Sequence, residues 1–226
     1  MRMLLQFQKG DIVRHLGLLD LQRTMQRALR RSGLPVAYSK GFNPHMVMTF
    51  ASALSSGIPG DAELLDVALC ADVTEEECLA AMNRVLPPSL QASRVRLVDD
   101  HFPKASASLR QAQYSITMIG DEAHKASAYI PAFLEKEEIM AVRKTKKSET
   151  LVNIRPMIHE LAVISEEQDR VVCTARVSFV EQATLKPDLL INTLCEHADA
   201  RLLRCEIRRT GLLGIVDGQS VPLIDM

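Results

Sequence analysis

Tryptophan is absent and aromatic residues make up only 4% of the chain, so any core has to be built from aliphatic side chains. There is no run of about 20 apolar residues, which excludes an ordinary membrane-spanning helix. Met1-Arg2-Met3-Leu4-Leu5-Gln6 lacks the apolar stretch of a secretory signal, so the expected compartment is the cytoplasm. The five cysteines agree with this: Cys70, Cys78, Cys173, Cys195 and Cys205 are odd in number, widely spread and set among apolar neighbours. No two of them form a C-x-x-C pair, and Cys195-x-His197 is at most half a metal site. G-x-S-x-G, the P-loop and G-x-G-x-x-G are all missing, and His159-Glu160 is not followed by a zincin's second histidine. The sequence implies no metal and no cofactor.

What is present is an ordinary globular composition, 47% apolar and 24% charged, in a chain long enough for two domains of about 100 residues each. The net charge of -1 conceals an uneven distribution. Residues 1–60 carry Arg2, Lys9, Arg14, Arg23, Arg27, Arg30, Arg31 and Lys40 against only Asp11 and Asp20. The next forty residues are dominated by acids. One basic face on a near-neutral protein can attract a polyanion locally. Charged helix surfaces produce the same blocks without any ligand.

The basic block is concentrated on one predicted helix starting at Leu18. At 100° per residue, Leu18, Leu21, Met25, Ala28 and Leu29 form its apolar side. Asp20, Arg23, Arg27, Arg30 and Arg31 lie opposite. Like charges at these spacings repel by a few tenths of a kcal/mol per pair, a cost that an anionic partner offsets. Gly17 or Asp20 can cap the start, and Ser32-Gly33-Leu34-Pro35 ends the helix. The loop that follows is punctuated by Gly41 and Asn43-Pro44, and it is rich in groups able to touch a ligand: Tyr38, Ser39, Lys40, Phe42, Asn43 and His45. The alternative is a structural turn with its aromatic residues packed beneath it.

Residues 27–45 read R-A-L-R-R-S-G-L-P-V-A-Y-S-K-G-F-N-P-H. This stretch resembles the signature of the radical-SAM-linked family, a domain of unknown function encoded beside radical SAM proteins or fused to them. The resemblance continues through Gly57, Glu63-Leu64-Leu65-Asp66, Lys146-Lys147 and Asn153-Ile154-Arg155-Pro156, and so covers most of the chain. It implies a radical SAM protein as partner and supplies no reaction. Three departures remove polar groups that catalysis would use. Gly17-Leu18-Leu19-Asp20 replaces Ser-His-Leu-Asp, Asn153 replaces an aspartate, and Gly60 replaces a serine.

The predicted fold class is α+β, built from two ferredoxin-like β-α-β-β-α-β units, an element order that a duplication would give. In residues 1–103 the order is strand 3–8, the arginine helix, strands 46–53 and 63–71, helix 75–86 opened by the Thr74-x-x-Glu77 capping box, and strand 90–97. In residues 104–226 it is strand 113–119, helix 121–137, strand 139–144, a basic loop over 144–150, a turn at 153–156, a hairpin 158–164 and 171–179, helix 187–198 and strand 202–209.

These features predict a non-catalytic adaptor that presents a basic surface to RNA or another anionic substrate for a radical SAM enzyme. The predicted anion-binding residues are Arg23, Arg27, Arg30, Arg31, Tyr38, Ser39, Lys40, Phe42, Asn43 and His45, with Lys146, Lys147 and Arg155 added by the resemblance. A competing class is a protein-only module whose arginines meet acidic side chains of a partner. A third is a small enzyme pairing His45 with a carboxylate, with Asp20, Glu63 and Asp66 as candidates and His15 as a further titratable group.

Overall fold

In a computed structural model, residues 1–144, 148–181 and 183–226 are described, and the chain is mixed α+β. It divides into two compact units. The first holds residues 1–109 and 209–226, the second residues 110–208. The boundary is therefore not the single cut near residue 103 that the linker composition predicts. The last eighteen or so residues belong with the beginning of the chain.

The first unit contains β1 (Arg2–Lys9), α1 (Leu18–Ser32), β2 (Met48–Phe50), β3 (Gly60–Ala68), α2 (Glu75–Val85) and β4 (Ala92–Val98). Strand β1 lies between β3 and β4 and is antiparallel to both, pairing Arg2 with Ala68 on one side and with Val98 on the other. Strand β2 adds antiparallel to the far side of β3. It is shorter than residues 46–53, because the flanking segments make only isolated bridges such as Tyr38 with Met46. A short helix, α3 (Ala105–Ser108), ends the first stretch of this unit.

Alternation along β1 sorts its side chains onto two faces. Met3, Leu5 and Phe7 join Leu65 and Val67 beneath Leu21, Met25 and Leu29 of α1 and Cys78 and Met82 of α2. Each such leucine contributes about 1.5–3 kcal/mol by leaving water. The apolar stripe of α1 points where its periodicity predicts at Leu21, Met25, Ala28 and Leu29, whereas Leu18, at the first turn with none of the described elements over it, is exposed. Its ends match too: Gly17 precedes it and Gly33 follows with φ of 78°, a left-handed cap that a side chain would strain. Thr74 and Glu77 form the reciprocal capping box of α2.

The second unit contains β5 (Gln111–Ile119), α4 (Ala123–Ala128), α5 (Ile130–Leu134), β6 (Met140–Lys144), β7 (Glu149–Asn153), β8 (Ile158–Glu167), β9 (Arg170–Ser178) and α6 (Pro187–Ala198). Strand β9 pairs antiparallel with β5 and with β8. One face of β5 and β9, with Ala112, Tyr114, Ile116 and Met118 opposite Val177, Ala175, Cys173 and Val171, is fully buried. This unit differs from the prediction at two elements. The helix over 121–137 breaks between Ala128 and Ile130, because Pro131 lacks an N–H and its ring clashes with the preceding turn. The strand predicted at 139–144 is β6, and it pairs with residues 149–153 as a separate β6–β7 ribbon, Met140 opposite Asn153 and Lys144 opposite Glu149, so the second half carries an extra strand.

A long strand, β10 (Arg204–Val216), supplies residues 204–208 to the second unit and the remainder to the first. It continues past the predicted end at 209 and turns at Asp217-Gly218, both with positive φ, into β11 (Gln219–Pro222). That is the Asp-Gly chemistry of a tight hairpin. In the first unit, Leu223 and Ile224 then bury themselves, Asp225 takes both ends of the Arg94 guanidinium (2.6 and 3.2 Å), and Arg96 donates to the Ile224 carbonyl.

Candidate nucleic-acid interface

The arginine row divides into spent and unspent members. Arg23 pairs with Asp20 one turn back at 3.3 Å, both exposed, and so contributes little. Arg31 donates to the Val85 carbonyl at the end of α2 (2.9 Å), while Arg84 of α2 donates to the Ser32 carbonyl at the end of α1 (3.1 Å). Each helix thus supplies a cationic cap to the last turn of the other, which suits the negative ends of both dipoles. Arg27 and Arg30 are exposed and have no hydrogen-bond or ion-pair partner among the described residues.

Arg27, Arg30 and Arg31 border a shallow groove of about 620 Å³, with Thr24 on the same side and Val85, Leu86 and Pro87 forming the other wall. The sequence shows the cationic side of this groove. The apolar side follows from Pro87-Pro88 stopping α2 next to α1, and periodicity carries no trace of that proximity.

The loop after α1 closes on itself. Ser39 N–H donates to the His45 carbonyl (2.8 Å), His45 N–H donates to the Ser39 hydroxyl (3.1 Å), and that hydroxyl lies 2.8 Å from His45 Nδ1. Gly41, with φ of 131°, makes the reversal. Lys40, Phe42 and Asn43 stand exposed at the tip, with Phe42 fully so, and Tyr38 is exposed at the base. The aromatic residues of this loop are not packed beneath it.

The remaining predicted residues lie elsewhere. Arg155, in the second unit, donates to the carbonyls of Leu134 (2.9 Å) and Ile158 (3.4 Å) and fastens that segment in place. Lys146 and Lys147 lie outside the described residues. Glu63 and Asp66, the nearest thing to an acid–base pair in the sequence, are buried in ion pairs with Arg209 and Arg2. Lys9 is buried beside Glu63 and Arg209. Desolvation lowers its pKa, Glu63 pulling the other way and Arg209 adding to the fall. Among the described residues no group of three or more His, Cys, Asp or Glu side chains could hold a metal ion. Nor is any helix there long and apolar enough to cross a membrane.

A bacterial family described as "Uncharacterized protein conserved in bacteria (DUF2344)" matches residues 2–187, which includes the groove and the loop. The chain belongs to that family. Nothing in the description of DUF2344 links it to radical SAM proteins. Comparison with curated proteins gives no match. Among solved structures, a Cbf5–Nop10–Gar1 complex is similar with a TM-score of 0.53 and 13% identity, over 93% of this chain and 48% of that one. An H/ACA RNP bound to a substrate RNA containing 2′-deoxyuridine is similar with a TM-score of 0.50 and 13% identity, over 93% and 47%. At that identity the likeness shows the fold alone, and this chain spans about half the length of each matched chain.

Proposed function

We propose that this DUF2344 protein is a cytoplasmic, non-catalytic adaptor that offers the groove at Arg27, Arg30 and Arg31 to RNA on behalf of a partner enzyme. The observation that carries the reading is the pair of exposed guanidinium groups at the groove's edge that have no partner among the described residues. Mutually repelling arginines with no carboxylate among the described residues to neutralise them are best explained by an anion that comes from outside. The matched H/ACA RNP holds an RNA, which fits this choice of anion. A radical SAM protein as the partner rests on the sequence signature over residues 27–45. In the first unit β4, β1 and β3 are successive neighbours and β2 also pairs with β3, which fits a ferredoxin-like reading of that unit.

The enzymatic alternative draws less support. His45 is bonded to Ser39, and the carboxylates of Glu63 and Asp66 are already neutralised by arginines. A protein-only module is the competing class, and binding to RNA itself separates the two. Electrophoretic mobility with total RNA should show binding at low salt that falls about sevenfold or more between 50 and 200 mM, from counterion release at two or three phosphates. Arg27→Ala with Arg30→Ala should abolish most of it. Binding that is absent, or that ignores both salt and the double substitution, would favour an acidic protein partner.

A further inference from the structure

The groove is not a uniformly basic surface. One wall carries Arg27, Arg30 and Arg31, and the other is Val85, Leu86 and Pro87, with no charged side chain. Leu86 is buried and forms part of the core, Val85 is half-buried, and Pro87 is exposed. Arg31 is held across the gap by its hydrogen bond to the Val85 carbonyl, so the two walls stay in register. Thr24 spends its hydroxyl on the Asp20 carbonyl and adds a methyl group rather than a donor. The result is a cationic rail facing an apolar one.

A duplex has little use for such an arrangement. Its bases are stacked inside, so it would meet the arginines through phosphate alone and leave the apolar wall wet. A single strand presents both chemistries along its length, phosphates on one side and free base faces on the other. The groove volume lies within the range that holds a small ligand, and the positions of Arg27 and Arg30 one turn apart place two cations along it. We infer that the groove selects single-stranded over double-stranded nucleic acid, with successive phosphates on Arg27 and Arg30 and a base against Val85 and Pro87. This rests on the anion-binding reading above and narrows it to a substrate class.

Fluorescence anisotropy of the full chain tests it with three probes: a short labelled oligouridylate, a labelled RNA duplex of the same length, and heparin as a plain polyanion. The single strand is expected to bind about tenfold more tightly than the duplex, with a log–log salt slope near -1.4 for two phosphates. Arg27→Ala and Arg30→Ala should each remove about 0.7 from the steepness of that slope. Pro87→Ala, and the near-isosteric Val85→Thr, should weaken single-strand binding severalfold at unchanged slope. Equal affinity for strand and duplex, or indifference to both wall substitutions, would overturn the single-strand inference and leave a plain anion-binding face. Failure of all three probes at low salt, or binding that survives loss of both arginines, would overturn the anion-binding reading itself.

Discussion

Glu63 is a single carboxylate placed between two buried cations. Arg209 bonds it with two nitrogens and Lys9 lies alongside, each cation only 1% exposed. Two cations and one carboxylate thus meet out of contact with water. Glu63→Gln should cost about 3–5 kcal/mol in urea unfolding, because it removes the carboxylate that both buried cations face. Lys9→Met should be neutral or stabilising, since it removes a desolvated cation and leaves the Arg209–Glu63 pair intact. The pH dependence has a definite sign. Burial lowers the Lys9 pKa below 10.5, so the folded state bears the cost of the charged form at neutral pH and sheds it as pH rises from the folded value towards 10.5. Wild type should gain stability over that interval relative to Lys9→Met. The sequence marks Glu63 and Asp66 as noteworthy, but not their purpose. Their partners stand 146 and 64 positions away, and no local pattern reports such distances.

At the scale of elements, legibility followed chemistry that acts over a few residues. Gly33 and the Thr74–Glu77 box place helix ends because a left-handed backbone and two reciprocal hydrogen bonds are short-range requirements. Thr74→Ala should therefore cost about 1 kcal/mol, read as a fall in Tm of about 2–4 °C. Since α2 ends in the wall of the groove, the same variant tests whether that wall depends on the helix being whole. The arginine stripe was legible for a similar reason: a period of 3.6 residues fixes which side chains share a face. Where an element depends on a remote neighbour, the pattern failed. The polar stretch after Lys144 resumes as β7 because β6 offers it a partner, and residues 46–53 yield only the three-residue β2 where β3 accepts them. The break before Pro131 was readable from the proline and outweighed the helical periodicity around it.

On the scale of the whole molecule, the first unit is discontinuous in sequence. Its sheet and buried clusters draw on Arg209, Leu212, Leu213, Leu223 and Ile224, whereas residues 110–208 form a unit of their own. A chain ending at residue 208 should lose hydrogen-exchange protection in β1 and β3 while keeping it in β5 and β9. It forfeits several buried leucine-sized side chains, each worth about 2–5 kcal/mol by truncation, and leaves Glu63 without its main counter-ion. Retained protection in β1 would show that the returning segment is ornamental. The sequence could not indicate this, because strand alternation over 204–216 says which face is buried and not which unit does the burying.

Arg209 is also late in time. During translation residues 1–109 are made before position 209, and at about 5–20 residues per second some 5–20 s separate residue 109 from it. For that interval Glu63 and Lys9 have each other but not the guanidinium that completes them. Of the two units, the one whose synthesis starts earlier is the one completed later.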